Sequence, residues 1–222
     1  MDEFIAAIRP HAVHRTFKKR SILIYQGEAP RAGFVILKGV IKAYSLNNAG
    51  EEQIAAFHIR GDMLPSAWIF GKASSTLYYY EALTDCEVLA VPKSDLHEVL
   101  FGKPEFMKAA LDYYVTNYTG LMMRVTALEQ SRASEKIMFT LYYLLFRYGK
   151  EIRPGVYVLK LQLTQSIIAS LVGLTRETTA TELGKLRTQK VLNYSAQQYT
   201  VNKQALERAL GEDNFSDLQI AP

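Results

Sequence analysis

The spacing of hydrophobic residues changes twice along the chain, which predicts three segments. Residues 16–92 hold short runs of β-branched and aromatic residues, and a short amphipathic helix, Phe4–Ile8, precedes them. The runs are SILIYQGEA, GFVILKGVIKAYSL, EEQIAAFHIRGD and YYYEALTDCEVLAVP, and the glycines between or within them are Gly27, Gly39, Gly50 and Gly61. Short strands with glycine corners, and NNAGEE as a hairpin turn, predict a jelly roll or β-barrel.

From Pro104 to about Gln130 the spacing becomes that of a long helix. Apolar residues repeat at intervals of four and three, the heptad pattern of a coiled coil. This seam consists of Met107, Leu111, Tyr114, Tyr118, Leu121, Val125 and Leu128. A second apolar stripe consists of Phe106, Ala110, Tyr113, Met122 and Met123. One face can pack on the β-domain and the other on a second subunit, so we expect a homodimer. The alternative is a core helix of a single chain.

The third segment begins with an apolar helix, Ser134–Tyr148, which Ser134 opens and Gly149 closes. KEIRPGVY then reads as a turn and VYVLKLQL as a short strand. Next comes LTQSIIASLVGLTRETTATELGKL, Leu163–Leu186. Two threonines can cap helices here, and a glycine between the helices allows a left-handed turn. The predicted residues are the caps Thr164 and Thr175, the turn Gly173, the inward-facing Ile168, Ala169 and Val172, and the anchors Leu183 and Leu186.

This layout is a helix-turn-helix, whose second helix lies in the major groove of DNA. An arginine can donate twice to guanine, and a glutamate can accept from the cytosine amino group, so Arg176 and Glu177 predict base reading. Thr179 and Glu182 occupy positions that are usually apolar. The alternatives are a plain αα-hairpin with a solvated Arg-Glu pair, and a regulator that acts through protein contacts.

After the second helix, VLNYSAQQYTVN predicts two short strands around a Ser-Ala turn, a β-wing. Three basic residues near the helix end suit phosphate contacts, which position a protein without reading sequence. The expected DNA-binding residues are Thr164, Gln165, Thr175, Arg176, Glu177, Thr178, Thr181, Lys185, Arg187 and Lys190.

Charge and composition agree with a DNA-binding protein of the cytoplasm. The net charge of the 222 residues is +4; Lys160–Leu210 alone carries a surplus of +4, and the last residues, GEDNFSDLQIAP, carry −3. No apolar run is long enough for a membrane span, and the acidic N-terminus does not resemble a secretory signal. One cysteine, Cys86, fits a reducing cytoplasm.

The chain resembles the Crp/Fnr superfamily of bacterial transcription regulators. LTQSIIASLVGLTRETTATEL is similar to that family's L-T-x-x-x-[IL]-[AG]-x-x-[VL]-G-x-[ST]-R-E-T. The resemblance implies an α+β fold: a β-roll like a cyclic-nucleotide-binding jelly roll (1–103), a long dimerisation helix (104–131) and a winged helix-turn-helix (132–222). It implies a homodimeric regulator that binds double-stranded DNA, with RNA polymerase as a further partner. A third reading position of relatives, an arginine, is Thr181 here.

The sensory segment departs from the members that bind cyclic AMP. Their phosphate cassette supplies a carboxylate and an arginine, whereas the aligned residues here are Pro65, Ser66, Thr76 and Leu77. A buried phosphate without an arginine would leave its charge uncompensated, so we expect no tight binding of cyclic AMP. A neutral or aromatic effector could meet Ser66, Trp68, Thr76, Tyr78, Tyr80, Leu121 and Met122. The alternative is a side-chain-filled core and a ligand-independent regulator.

Other chemistries find little support in the residues. An iron–sulfur cluster needs several cysteines, and the four histidines, His11, His14, His58 and His97, are scattered. A cupin-like enzyme would need clustered metal ligands, and no catalytic triad or nucleotide-binding loop is present. We therefore expect no metal, no cofactor and no enzyme activity.

Overall fold

A computed structural model of the chain describes residues 1–211. Residues 1–112 form one compact unit, and a second unit begins at residue 113. The acidic segment that follows Gly211 lies outside the described residues.

The first unit begins with α1 (Asp2–Ile8), as expected from its amphipathic pattern, and a short 3-10 turn. Its strands are β1 (Val13–Phe17), β2 (Ile22–Ile24), β3 (Gly33–Lys38), β4 (Ile41–Leu46), β5 (Glu52–His58), β6 (Met63–Leu64), β7 (Tyr79–Ala82) and β8 (Cys86–Val91). Helix α2 (Ser66–Ile69) lies between β6 and β7, and α3 (Lys93–Gly102) follows β8. The sequence patterns had not predicted α2 or α3.

Two four-stranded antiparallel sheets make the predicted β-roll. Their strand orders are β1-β8-β3-β6 and β2-β7-β4-β5. The inner faces bury alternate apolar residues of both sheets, including Ile36 and Val88 from one and Ile41 from the other. Between β3 and β4, Gly39 has φ +92°, and a Cβ there would lie 2.4 Å from the carbonyl oxygen of Asp85. This corner therefore requires glycine.

A single long helix, α4 (Pro104–Glu129), follows the β-roll and has a buried and an exposed side. Phe106, Ala110 and Met123 of the second stripe are buried, and Phe106 packs edge-to-face on Phe4. Met122 is about half exposed, which contradicts its placement on a packed stripe. It lies four residues after Tyr118 and three before Val125, so it belongs to the exposed face.

The second unit contains α5 (Ala133–Tyr148), β9 (Gly149–Arg153), β10 (Val156–Leu159), α6 (Gln165–Val172), α7 (Arg176–Thr188), β11 (Leu192–Ser195), β12 (Gln198–Asn202) and α8 (Lys203–Leu210). The four strands form one antiparallel sheet, β11-β12-β10-β9. None of the helices in residues 1–211 has the length and hydropathy that a bilayer-spanning segment needs.

Three local expectations for the second unit were wrong, and one helix had no counterpart among the expectations. The N-cap of α5 is Arg132, so Ser134 lies inside the helix. KEIRPGVY is no simple turn, because its first residues form β9 and pair with β10. The wing turn is formed by Ala196 and Gln197, both with positive φ, and not by Ser195 and Ala196. Helix α8 was not predicted.

Candidate nucleic-acid interface

The turn between α6 and α7 has the predicted capping chemistry. The hydroxyl of Thr164 accepts from the backbone N–H of Ile167 at 3.1 Å, and that of Thr175 accepts from the N–H of Thr178 at 3.1 Å. Gly173 ends α6 with φ 68°, in the left-handed region. These three residues satisfy the helix ends and set the sharp angle between the helices.

Burial on one side holds α7 in place. Ile168, Ala169 and Val172 of α6 are buried as expected, and so are Leu183 and Leu186 of α7. Thr179 is also buried, at 0 % exposure. Glu182 is mostly buried and pairs with Lys185 at 2.6 Å, which satisfies its carboxylate at a position that is usually apolar.

The opposite side of α7 presents the predicted reading residues. Arg176, Glu177 and Thr181 are exposed, and within residues 1–211 neither Arg176 nor Glu177 forms an ion pair. Thr178 is half-buried, and its hydroxyl accepts from that of Thr175 at 3.0 Å. Thr181 donates its hydroxyl to the carbonyl of Glu177 at 3.0 Å. Within residues 1–211 the guanidinium of Arg176 and the carboxylate of Glu177 are therefore the polar groups of the first turn that no other side chain binds.

The three predicted phosphate contacts differ in their surroundings. The ammonium of Lys185 is tied to Glu182, whereas Arg187 lies 5.1 Å from the ring centre of Tyr194 as a cation–π pair. Lys190 follows the helix with φ 60°, and its N–H donates to the carbonyl of Arg187. Arg187 and Lys190 are thus more available to an anion than Lys185 is.

The wing is fastened to the start of the helix pair. The N–H of Leu163 donates to the carbonyl of Gln197 at 2.9 Å. Tyr194 stacks on Tyr199, and burial raises the pKa of Tyr199 to about 12. A groove of about 460 Å³ lies here, lined by Gln165, Arg176 and Gln197 among others. Thr164 also lines it, so this groove contains three of the ten predicted DNA-binding residues: Thr164 and Gln165 at the start of α6, and Arg176 of α7.

Sequence reasoning missed Arg124 as part of this unit. A guanidinium nitrogen of Arg124, on α4, lies 3.3 Å from the carbonyl oxygen of Leu171 in the last turn of α6. A cation suits the negative end of a helix dipole. Arg124 is the only arginine between Arg60 and Arg132, and an isolated cation on an apolar helix is the signal that could have identified it.

The seam of α4 is exposed. Leu111, Tyr118 and Leu121 are 62 %, 64 % and 54 % exposed, and Tyr114 is half-buried. The other exposed apolar residues of this face are Met107, Val115, Met122, Val125 and Leu128. We name this the seam face. Leu121 and Met122, which were also predicted to meet an effector, lie on it.

The predicted effector residues of the β-roll are divided between core and surface. Thr76 is buried, and its hydroxyl donates to the carbonyl of Tyr25 at 2.6 Å. Tyr80 lies in the core, and burial raises its pKa to about 12. Ser66, Trp68 and Tyr78 are partly exposed, and the ammonium of Lys93 lies 5.1 Å from the Trp68 ring.

The thiol of Cys86 is packed inside the β-roll. Cys86 is buried, its thiol lies 3.1 Å from the carbonyl of Thr84, and burial raises its pKa, as expected for a structural thiol. No three His, Cys, Asp or Glu side chains of residues 1–211 lie together in a way that could hold a metal ion.

Two family profiles match the chain. Residues 14–102 match the cyclic nucleotide-binding domain, and residues 135–209 match the Crp-like helix-turn-helix domain. Together the two profiles cover about three quarters of the chain.

Curated relatives and solved structures agree with these profiles. The fumarate and nitrate reduction regulatory protein of Vibrio cholerae is 25 % identical over 90 % of this chain and 77 % of its own. The global nitrogen regulator of Nostoc sp. is 24 % identical over 86 % of each chain. The structure of FixK2 from Bradyrhizobium japonicum matches with a TM-score of 0.71 at 23 % identity, over 89 % of this chain and 96 % of its own. That of a CooA mutant from Carboxydothermus hydrogenoformans matches with a TM-score of 0.74 at 19 % identity, over 90 % and 88 %.

The structural likenesses establish the fold, and the profiles and curated relatives establish the function. The relatives are transcription regulators and not enzymes. The capped helix pair described above lies within the residues that match the helix-turn-helix profile. The chain therefore belongs to the Crp/Fnr superfamily of transcription regulators and carries their helix-turn-helix DNA-binding domain.

Proposed function

We propose that the protein is a homodimer that reads a pseudo-palindromic DNA site, with one α7 in each of two major grooves about one helical turn apart. The observation that carries this proposal is the first turn of α7. It is capped by Thr175, held from behind by Leu183 and Leu186, and presents Arg176 and Glu177 to solvent with no ion pair in the described chain.

The seam face supports the dimer. Helix α4 has 26 residues and is about 39 Å long at the usual rise. Its exposed apolar residues recur at heptad spacing along that length. An apolar surface of this extent on a helix marks an interaction site. A second copy of α4 would match the seam by symmetry, since a two-fold interface uses the same surface on both subunits.

Each predicted DNA-binding residue then has a role in the proposed complex, at a base edge or at a phosphate. Arg176 would donate to a guanine and Glu177 would accept from a cytosine. Arg187 and Lys190, which have no carboxylate partner in the described chain, would contact phosphates. Lys185 would be a weaker contact, because Glu182 already neutralises it. The remaining polar residues near the starts of the two helices would adjust the fit of α6 and α7 to the DNA. They are Thr164, Gln165, Thr175, Thr178 and Thr181.

The test begins with selection of bound duplexes from a random DNA pool, followed by affinity measurements on the selected duplex and on a random one. Arg176→Ala should weaken binding to the selected duplex by about 1–3 kcal/mol and relax one base position. Arg208→Ala, an exposed arginine of α8, is the matched control and should change neither quantity. Equal weakening by Arg176→Ala on both duplexes would contradict base reading.

We further propose that cyclic AMP is not the effector. No arginine lies between Arg60 and Arg124, and the residue aligned with the phosphate-binding arginine, Thr76, already uses its buried hydroxyl for Tyr25. The burial of Thr76 and Tyr80 favours a side-chain-filled core. A neutral or aromatic effector that meets Ser66, Trp68 and Tyr78 is the second candidate, since these side chains are partly exposed. A thermal-shift screen of small aromatic compounds distinguishes the two.

We also propose RNA polymerase as a partner and the cytoplasm as the location, because the relatives are transcription regulators. In vitro transcription from a promoter that contains the selected site, with and without the protein, tests the partner and shows whether it activates or represses. An unchanged transcript level would refute the partner. Fractionation of bacterial cells tests the location.

A further inference from the structure

A basic groove lies beside the C-terminal end of α7. It has a volume of about 450 Å³ and is lined by Arg153, Arg187, Lys190, Asn193 and Asn202 among others. No carboxylate is among the lining residues. Within residues 1–211 none of the three cations forms an ion pair. Three uncompensated positive charges around one open groove create a strong local attraction for an anion.

Local contacts order the chain around the three cations. The guanidinium of Arg187 lies 5.1 Å from the ring centre of Tyr194, and the backbone N–H of Lys190, a residue with positive φ, donates to the carbonyl of Arg187 at 3.0 Å. Arg153 ends β9 at a hairpin whose turn residue Gly155 is bonded on two sides. Its N–H donates to the carboxylate of Glu151 at 2.8 Å, and its carbonyl accepts from the N–H of Lys203 at 2.9 Å.

The position of the groove along α7 indicates the source of the anion. Arg176 and Arg187 are eleven residues apart, which is three helical turns, so they lie on one side of α7 about 16 Å apart. The major groove of DNA is about 12 Å wide. With Arg176 at the base edges, Arg187 would lie at the border of the groove, where the phosphates are.

We propose that Arg153, with Arg187 and Lys190, binds phosphates of the DNA backbone beside each half-site. This inference rests on the proposed function, and Arg153 is its new element. The β9–β10 hairpin would then extend the contact with DNA beyond the helix pair and the wing. Because phosphate contacts carry no sequence information, the hairpin would raise affinity without changing the preferred site.

The experiment measures the salt dependence of binding by the full chain. Each phosphate contact on duplex DNA contributes about 0.9 to the slope of log affinity against log salt. Arg153→Ala should lower the slope by about 1.8 for a dimer, so a fourfold rise in salt should weaken the wild type about twelvefold more than the variant. Arg153→Lys, which keeps the charge, should restore the slope. Lys150→Ala is the matched control, an exposed cation of the same hairpin that does not line the groove.

Flank length gives a second readout. On the selected duplex trimmed to its core, Arg153→Ala and the wild type should bind alike, and only the wild type should gain when flanks are added. A slope and a flank gain equal to those of Lys150→Ala would overturn the proposal. Loss of affinity on core and flanked duplexes alike, with an unchanged slope, would also overturn it. If the wild type itself does not distinguish selected from random DNA, the proposed function fails, while the salt slope on random DNA still tests Arg153.

Discussion

Thr179 carries a buried hydroxyl that has no hydrogen-bond partner in the described part of the chain, and its replacement by valine should stabilise the protein. The residue is 0 % exposed, and within residues 1–211 its Oγ1 forms no hydrogen bond. Other helical threonines behave differently: the hydroxyls of Thr126 and Thr188 donate to the carbonyls four residues earlier. At Thr179 the hydroxyl was removed from water without that compensation.

The magnitude follows from the unsatisfied group. A buried polar group without a hydrogen bond costs about 1–3 kcal/mol. Valine has nearly the shape of threonine and a similar helix propensity, so the other contributions nearly cancel. Thr179→Val should therefore raise the free energy of unfolding by about 1 kcal/mol or more. For a cooperative unit of about 100 residues this corresponds to a rise in Tm of at least about 4 °C.

Two spectroscopic probes separate the two units. The sole tryptophan, Trp68, belongs to residues 1–112, so its fluorescence follows the unit that the substitution does not touch. Far-UV circular dichroism follows the helices of both units. Urea and thermal unfolding of Thr179→Val should shift the dichroism transition upward. Thr188→Val, which removes a bonded and exposed hydroxyl of the same helix, is the control and should not stabilise.

Two outcomes would refute this reasoning. An unchanged or lowered midpoint for Thr179→Val would mean that the hydroxyl has a favourable interaction in solution. Equal stabilisation by Thr188→Val would mean that valine improves the helix for a reason other than burial of a polar group. The affinity for DNA offers a further check, because a fully buried side chain cannot contact the duplex. Thr179→Val should bind the selected site as the wild type does.

Three further predictions concern other parts of the chain. Leu121→Asp should place a charge in the seam face and weaken dimerisation more than a hundredfold (about 3 kcal/mol), so light scattering should detect monomers. The control is Leu77→Asp, at an equally exposed leucine of the β-roll, which should stay dimeric. A dimeric Leu121→Asp would contradict the seam face as the dimer interface. Tyr142→Phe should lower the free energy of unfolding in urea by about 1–3 kcal/mol, because the Tyr142 hydroxyl donates to the carboxylate of Glu207 at 2.8 Å in a largely buried site. An unchanged free energy of unfolding would mean that water replaces this hydrogen bond. Titration calorimetry with cyclic AMP should show no binding, and a micromolar Kd would show that another group replaces the missing arginine.

Local chemistry made the helix pair predictable. A cap or a left-handed glycine acts on neighbouring backbone groups, so Thr164, Gly173 and Thr175 could be assigned from their positions alone, and the structure confirms all three. The heptad spacing predicted the long helix in the same way. Elements that depend on distant partners were not predictable. Strand β9 is formed by its pairing with β10. Helix α8 is packed through its buried residue Leu206 and through Glu207, whose carboxylate accepts a hydrogen bond from the hydroxyl of Tyr142.

The partner of each polar side chain was the least predictable property of the site. The sequence gives no reason to separate the three basic residues near the end of α7, but the structure gives each a different neighbour. Lys185 pairs with Glu182, Arg187 lies over the ring of Tyr194, and Lys190 lines the open groove. The same holds for the unusual polar residues of α7. The carboxylate of Glu182 pairs with the ammonium of Lys185, whereas the hydroxyl of Thr179 forms no hydrogen bond within residues 1–211. One unusual polar residue of α7 is thus compensated, and the other is the basis of the stability prediction for Thr179→Val.

The seam face shows why an apolar pattern alone cannot assign partners. Met122 and Met123 are neighbours of identical chemistry, yet Met123 is buried within the chain and Met122 is about half exposed. A helix turns by about 100° per residue, so adjacent residues can belong to different faces. Periodicity groups Met122 with Tyr118 and Val125, and only the structure shows that this face is the exposed one. Because that face contains Leu121 as well, both residues of α4 that were expected to meet an effector lie on the face where a second subunit would pack in the proposed homodimer.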